Sequence, residues 1–300
     1  MKTSVDCLPC FLRQALQVAR VCSAPADRQS AVVTAVAALL PDLDMTMTPP
    51  ANAIRVYATI AKVTGCPDPY LEVKKKSNEV ALQILPLLRD EVRRADMPLS
   101  AALRFAIAGN IIDYGASENF DIEAAFARCR TALPVIDHTG LFLARIAGLH
   151  KHAKVLYLAD NCGEIVYDLL VLECLAKYGL ELTVAVKSGP IINDALAEDA
   201  MACGLGQYAT IIANGTACPG TPLPDCSPDF LRCFAEADLV ISKGQGNFET
   251  LSEVEREIFF LLTVKCPVVG RHIADLTGKN IADLPGKGEM VVYSSGNLSI

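Results

Sequence analysis

The chain has 300 residues, about twice the usual domain length, so two domains or one large one are expected. Hydrophobic residues make up 52% and charged residues 20%, which excludes a mainly disordered chain; a net charge of −7, no Trp and 6% aromatics argue against a nucleic-acid binder or a base-stacking platform. No apolar stretch approaches the roughly 18–20 residues that cross a bilayer, the longest being Ala31–Leu40 and Ile258–Val264.

The first residues reach Asp6 without a signal-type apolar run, which predicts a cytoplasmic protein. From residue 7 to about 150 the apolar residues recur at helical spacing. Helices are predicted around Cys10–Ala19, from Asp27 (as N-cap) to Leu40, and over Ala51–Thr64, Pro69–Arg94, Leu99–Ile112, Asp121–Leu133 and Thr139–His150. No alternating strand pattern interrupts them.

From Lys154 the pattern changes. Short apolar runs rich in β-branched residues, Val155–Ala159, Leu182–Val186, Thr210–Ile212, Leu239–Ser242, Ile258–Val264 and Met290–Tyr293, alternate with helical runs at Ile165–Tyr178, Asn193–Cys203 and Pro228–Ala235. Near-continuous apolar strands separated by helices predict a largely parallel sheet covered on both faces. The expected architecture is an α/β/α sandwich over 151–300, preceded by an all-α domain over 1–150. The stretch Ala213–Ser227 is the one long loop expected in it.

In open α/β sheets ligands bind beyond the carboxyl ends of the strands, so the residues just after each run carry the information. They are Asp160-Asn161-Cys162-Gly163-Glu164, then Lys187-Ser188-Gly189-Pro190 with Asn193-Asp194, then Asn214-Gly215-Thr216, Lys243-Gly244-Gln245-Gly246-Asn247, and Lys265-Cys266-Pro267. Two carboxylates and an amide, Asp160, Asn161 and Asp194, suit a hard divalent cation, whereas Lys243, Lys265 and glycine-rich turns suit a phosphate. Metal and phosphate groups on one rim predict phosphoester chemistry. Taken singly, each cluster also reads as turn or cap chemistry, Asp194 in particular as a helix N-cap. No P-loop, no complete dinucleotide fingerprint and no Gly-x-Ser-x-Gly elbow is present.

Cys7-Leu8-Pro9-Cys10 opens the first helix, where the dipole favours a thiolate. The pair is open to three readings: a redox dithiol, half of a structural metal site, or two cysteines packed one turn apart. Others, such as Cys129, Cys174, Cys203 and Cys233, sit in apolar helical patterns and read as reduced core residues. The histidines His138, His150, His152 and His272 lack ligand spacing, and Lys74-Lys75-Lys76 reads as a solvated face. Gly109-Asn110-Ile111-Ile112-Asp113-Tyr114-Gly115 breaks a helix and sets Asn110 and Asp113 on one face, as a cap-and-turn or as polar groups aimed into the rim.

The combination Asp160-Asn161-x-Gly163-Glu164, Lys187-x-x-Pro190-x-x-Asn193-Asp194, Lys243-Gly244-Gln245-Gly246-Asn247-x-Glu249 and Lys265-Cys266-Pro267 resembles the damage-control phosphatase family. Asp68-Pro69-Tyr70-x-x-x-Lys74-x-x-x-Asn78, Gly109-Asn110-x-x-Asp113-x-Gly115 and Cys7-x-x-Cys10 are similar to a subfamily carrying that cysteine pair. The resemblance implies a helical domain packed on an α/β/α domain and a metal-dependent phosphatase of small phosphorylated metabolites, such as sugar phosphates or damaged cofactor precursors. It further implies Asp160, Asn161 and Asp194 as ligands of a divalent cation; the expectation built on this is Mg²⁺, Mn²⁺, Co²⁺ or Ni²⁺ as the ion, with Asp160 or Asp194 as catalytic base or Asp160 as nucleophile. Phosphate binding falls to Lys243, Gly244, Gln245, Gly246, Asn247 and Lys265, with Asn110 and Asp113 as substrate contacts. The rival expectations are a non-catalytic metabolite-binding protein and a zinc or redox protein built on Cys7 and Cys10.

Overall fold

A computed structural model describes residues 1–109, 130 and 133–296. The helical half supplies α1 (Cys7–Val21), α2 (Ala26–Leu39), α3 (Pro49–Thr64), α4 (Leu71–Arg94) and α5 (Pro98–Ala108). Their ends follow local chemistry. Thr48 accepts the Ala51 N–H ahead of Pro49-Pro50, and α3 stops where Gly65 turns left-handed at φ 70°. At α2 the cap is Pro25, and Asp27, expected to be the cap, lies inside the first turn. Apart from Arg130 and Leu133, the expected helix at Asp121–Leu133, and with it Cys129, Asn110 and Asp113, lies outside the described residues.

A two-residue strand, β1 (Ile136–Asp137), precedes α6 (Thr139–Ala147). It is too short for periodicity to reveal, and it pairs parallel to the last strand. Then follow β2 (Lys154–Leu158), α7 (Glu164–Ala176), β3 (Glu181–Val186), α8 (Ala197–Ala202), β4 (Thr210–Ala213), α9 (Pro228–Glu236), β5 (Leu239–Lys243), α10 (Gln245–Leu251), β6 (Ile258–Val264), α11 (Pro267–Thr277) and β7 (Glu289–Ser294). The predicted helix over Asn193–Cys203 starts later than expected, at Ala197, because Asn193 and Asp194 are held in a turn.

The seven strands lie in the order β1-β7-β6-β5-β2-β3-β4. β6, β5, β2, β3 and β4 run parallel, and β7 is antiparallel to β6. From β2 the chain winds outward through β3 to β4, then returns to β5 and winds the other way to β6. The switch point, where a crevice opens, therefore lies between the carboxyl ends of β2 and β5.

The change of period near residue 150 is a change of secondary structure, not of core. One buried cluster unites Leu85, Leu88, Leu103 and Ile107 of α4 and α5 with Val166, Leu170, Tyr157 and Phe259 of the α/β half. Arg89 of α4 forks onto Glu173 of α7 across the same contact. Helices α1 to α3 form a separate small cluster around Val18, Val36 and Ile60. The other sheet face packs Phe230, Phe248, Val269 and Ile273 against Leu156, Val240 and Phe260.

Candidate active site

At the switch point the chain leaves β2 through Asp160 and β5 through Gly244. The two residues touch: a Cβ on residue 244 would run into the Asp160 carboxylate, and its φ of 80° suits glycine besides. The third element comes from the turn after β3. Asn161 and Asp194 form an isolated antiparallel bridge, with the Ala195 N–H donating to the Asp160 carbonyl at 2.8 Å and the Cys162 N–H to that of Asn193 at 2.9 Å. Main-chain bonds thus bring together Asp160, Asn161 and Asp194, the oxygen-donor set expected from sequence. Asp194 is no helix cap; its backbone N–H closes a turn onto the Ile191 carbonyl.

The set is anionic and buried. Asp160 and Asp194 are 7% and 2% exposed. Burial first, then Asp194 and Glu164, push the Asp160 carboxyl well above the usual range, while Lys265 and Lys187 oppose this. Asp194 is raised to about 6 by burial, against the pull of Lys187. Its Oδ2 lies 3.6 Å from Lys187 Nζ and makes no hydrogen bond. A buried carboxylate oxygen without a hydrogen bond, next to a second carboxylate and an amide, fits a hard divalent cation. Among the described residues no three His, Cys, Asp or Glu side chains converge to hold a metal; the Asn161 amide lies against the acidic groups, its Nδ2 donating to Asp160 Oδ2 at 2.7 Å and to Glu164 Oε2 at 3.2 Å.

The lysines divide by role. Lys243, expected at the phosphate, is fully buried; its Nζ binds Glu164 Oε1 and Asp168 Oδ1 at 2.6 Å each and the Ala106 carbonyl at 2.9 Å. Its three N–H donors are used by these partners, which leaves none of them for a phosphate in this arrangement. Tyr157 adds a hydroxyl donor to Asp168 at 2.7 Å. Lys187 Nζ is likewise buried, bonded to the Gly220 carbonyl at 2.7 Å and Asn247 Oδ1 at 3.2 Å. Lys265 is exposed, and its charge reaches both Asp160 and Asp194.

The glycine-rich turn is also tied from beneath. The Gly244 N–H donates to the Leu261 carbonyl at 3.0 Å. Asn247 donates to the Ala159 and Lys243 carbonyls and accepts from Lys187 and Thr221, so its side chain is a brace and is not free for phosphate. A Cβ on residue 246 would collide with the Pro219 carbonyl, which lets the 213–227 loop close over the start of α10. Gln245 accepts the Lys265 N–H at 2.8 Å and donates to Glu249 Oε1 at 2.8 Å.

Cys7 and Cys10 are half-buried near Cys266 and Glu249. The helix start was expected to lower their pKa; burial dominates instead and raises Cys7 to about 11 and Cys10 in the same direction. Lys74, expected in solvent, is 1% exposed and pairs with Asp68 Oδ2 at 2.8 Å.

Glu249 is buried, and burial lifts its carboxyl to about 7, with Gln245 and the amino terminus pulling the other way. The folded chain therefore holds a proton that an unfolded Glu, with its ordinary value of 4.5, has released. Stability should fall as pH rises from about 4.5 through 7. Glu249→Gln should lose that slope, match the wild type at pH 4 and be more stable at pH 8 by up to about 3 kcal/mol, at about 1.4 kcal/mol per pKa unit. Urea unfolding at the two pH values checks this, and equal differences at both would overturn it.

Residues 3–281 match the model of the damage-control phosphatase ARMT1-like domain. The chain belongs to this family. It is 33% identical to a damage-control phosphatase of Pyrococcus horikoshii over 278 residues, 91% of this chain and 94% of that one. A mouse 4'-phosphopantetheine phosphatase is 31% identical over 143 residues, 43% of this chain and 17% of that one. The crystal structure of a DUF89 family protein from Pyrococcus horikoshii superposes with a TM-score of 0.86 at 30% identity, covering 99% of this chain and all of that one. The damage-control phosphatase fold thus spans both the helical half and the sheet.

Proposed function

We propose that this damage-control phosphatase family member is a metal-dependent phosphomonoester hydrolase acting on small phosphorylated metabolites, such as sugar phosphates or damaged cofactor precursors. The observation that supports this best is the Asn161–Asp194 bridge, which brings two carboxylates and an amide together at the switch point of a phosphatase-family fold. Asp160, Asn161 and Asp194 hold Mg²⁺, Mn²⁺, Co²⁺ or Ni²⁺. When bound, the ion supplies Lewis-acid polarisation of the phosphate and an attacking water of lowered pKa.

The chain's own groups do the rest. Lys265, the exposed cation beside the acidic pair, draws in the phosphate and holds an oxygen as charge builds in the transition state. The main chain of Gln245 and Gly246, opening α10, is what remains of the phosphate loop once Lys243 and Asn247 are assigned to the scaffold. Asp194 or Asp160 accepts the proton of the attacking water. The stereochemistry at phosphorus, followed with a chirally labelled phosphoester, tests direct attack: inversion is expected, and net retention would instead show a phospho-aspartyl intermediate on Asp160.

The deciding assay is phosphate release from a panel of small phosphoesters by metal-stripped protein resupplied with each of the four ions. Release that requires the ion is expected. No release with any ion would replace hydrolysis with non-catalytic metabolite binding.

A further inference from the structure

We propose that Asn78, on α4, is a positioning residue for the candidate metal centre, fixing from the helical half the turn that carries Asp160, Asn161 and Glu164. The inference rests on the metal reading above. Asn78 Oδ1 accepts the Gly163 N–H at 2.6 Å in a buried environment, a contact between residues 85 positions apart.

Gly163 sits at φ 81° between the ligands and the first turn of α7. A turn in that conformation needs an external hold, since α7 has no side-chain cap of its own. Two holds are present. The Cys162 N–H bonds to the Asn193 carbonyl and sets the span to Asp194. The Gly163 N–H bonds to Asn78 and sets the turn against the helical layer. One helical turn earlier on α4, buried Lys74 pairs with Asp68 Oδ2 at 2.8 Å. Asn78 is thus the α4 side chain that bonds to the turn, at Gly163. Farther along, Arg89 locks α4 to α7 through Glu173. Asn78 acts through the backbone of Gly163 and touches no reacting atom.

Mn²⁺ titration calorimetry on metal-stripped full-length protein tests this, with metal-free melting temperatures taken alongside. Asn78→Ala should weaken Mn²⁺ binding about tenfold, as expected when an outer support of a ligand is removed. Asn78→Asp keeps an oxygen acceptor at the same reach and should restore affinity close to that of the wild type. Asn78→Gln stays polar but shifts the acceptor by a methylene, and should bind between the two. If Asn78→Ala and Asn78→Gln melt lower yet bind Mn²⁺ as the wild type does, the residue is only structural and the inference is wrong. If the wild type itself binds no Mn²⁺, the metal reading fails first and takes this inference with it.

Discussion

Replacing Asp160 by alanine should abolish metal-dependent phosphate release while making the metal-free protein more stable. The loss follows from the donor set. Removing an outer-shell partner of a metal ligand typically costs 10–100-fold, so removing one of the two carboxylates proposed as ligands should weaken ion binding by at least about 100-fold. The gain follows from electrostatics. The Asp160 carboxyl is raised well above its ordinary value by burial and by Asp194 and Glu164, so its charge works against the fold when no cation is present. Deleting it relieves that repulsion, a trade between stability and function common at active sites. The pair of measurements is metal-dependent release and metal-free melting temperature. A variant inactive because it unfolds would move the second in the opposite direction, and a variant that keeps its activity would remove Asp160 from the chemistry.

The largest stability effect should come from Lys243→Met. Its ammonium is the shared partner of Glu164 and Asp168, all three 1% exposed or less. The two carboxylates push the Lys243 pKa up, although Asp168 is itself held near 6 by burial. Methionine fills similar space but leaves both carboxylates without their cation. Breaking a buried ion pair from one side costs about 3–5 kcal/mol, and denaturant unfolding should show a loss of that size. Adding Asp168→Asn to the same chain should return part of it by removing one of the stranded charges. If Lys243→Met left stability unchanged and raised only KM, Lys243 would be a substrate contact after all, as the family pattern implies.

These two residues show which parts of the site were legible in the sequence. Strands buried on both faces carry no alternation and stand out as apolar runs, so the parallel sheet and its rim could be read directly, and with them the placement of Asp160, Asn161 and Asp194 along that rim. The ion cluster below could not, because Lys243, Glu164, Asp168 and the Ala106 carbonyl come from separate elements whose packing no local pattern encodes. One trace was available: Asp168 interrupts the apolar run Ile165–Leu172, and a lone acid in a buried helix needs a partner. Lys74 misled for the opposite reason, since a run of three lysines looks solvated until α4 turns one of them inward. At Cys7 the helix dipole pointed one way and desolvation the other, and desolvation is the larger effect.

The core that crosses residue 150 bears on modularity. Leu103 and Ile107 pack in one cluster with Val166 and Leu170, while the Ala106 carbonyl accepts a hydrogen bond from Lys243 Nζ beneath the site. Severing the chain between the halves would bare apolar surface on both sides and leave the ion cluster one acceptor short. The helical segment is therefore no detachable accessory: removing it would strip the sheet half of part of its own core.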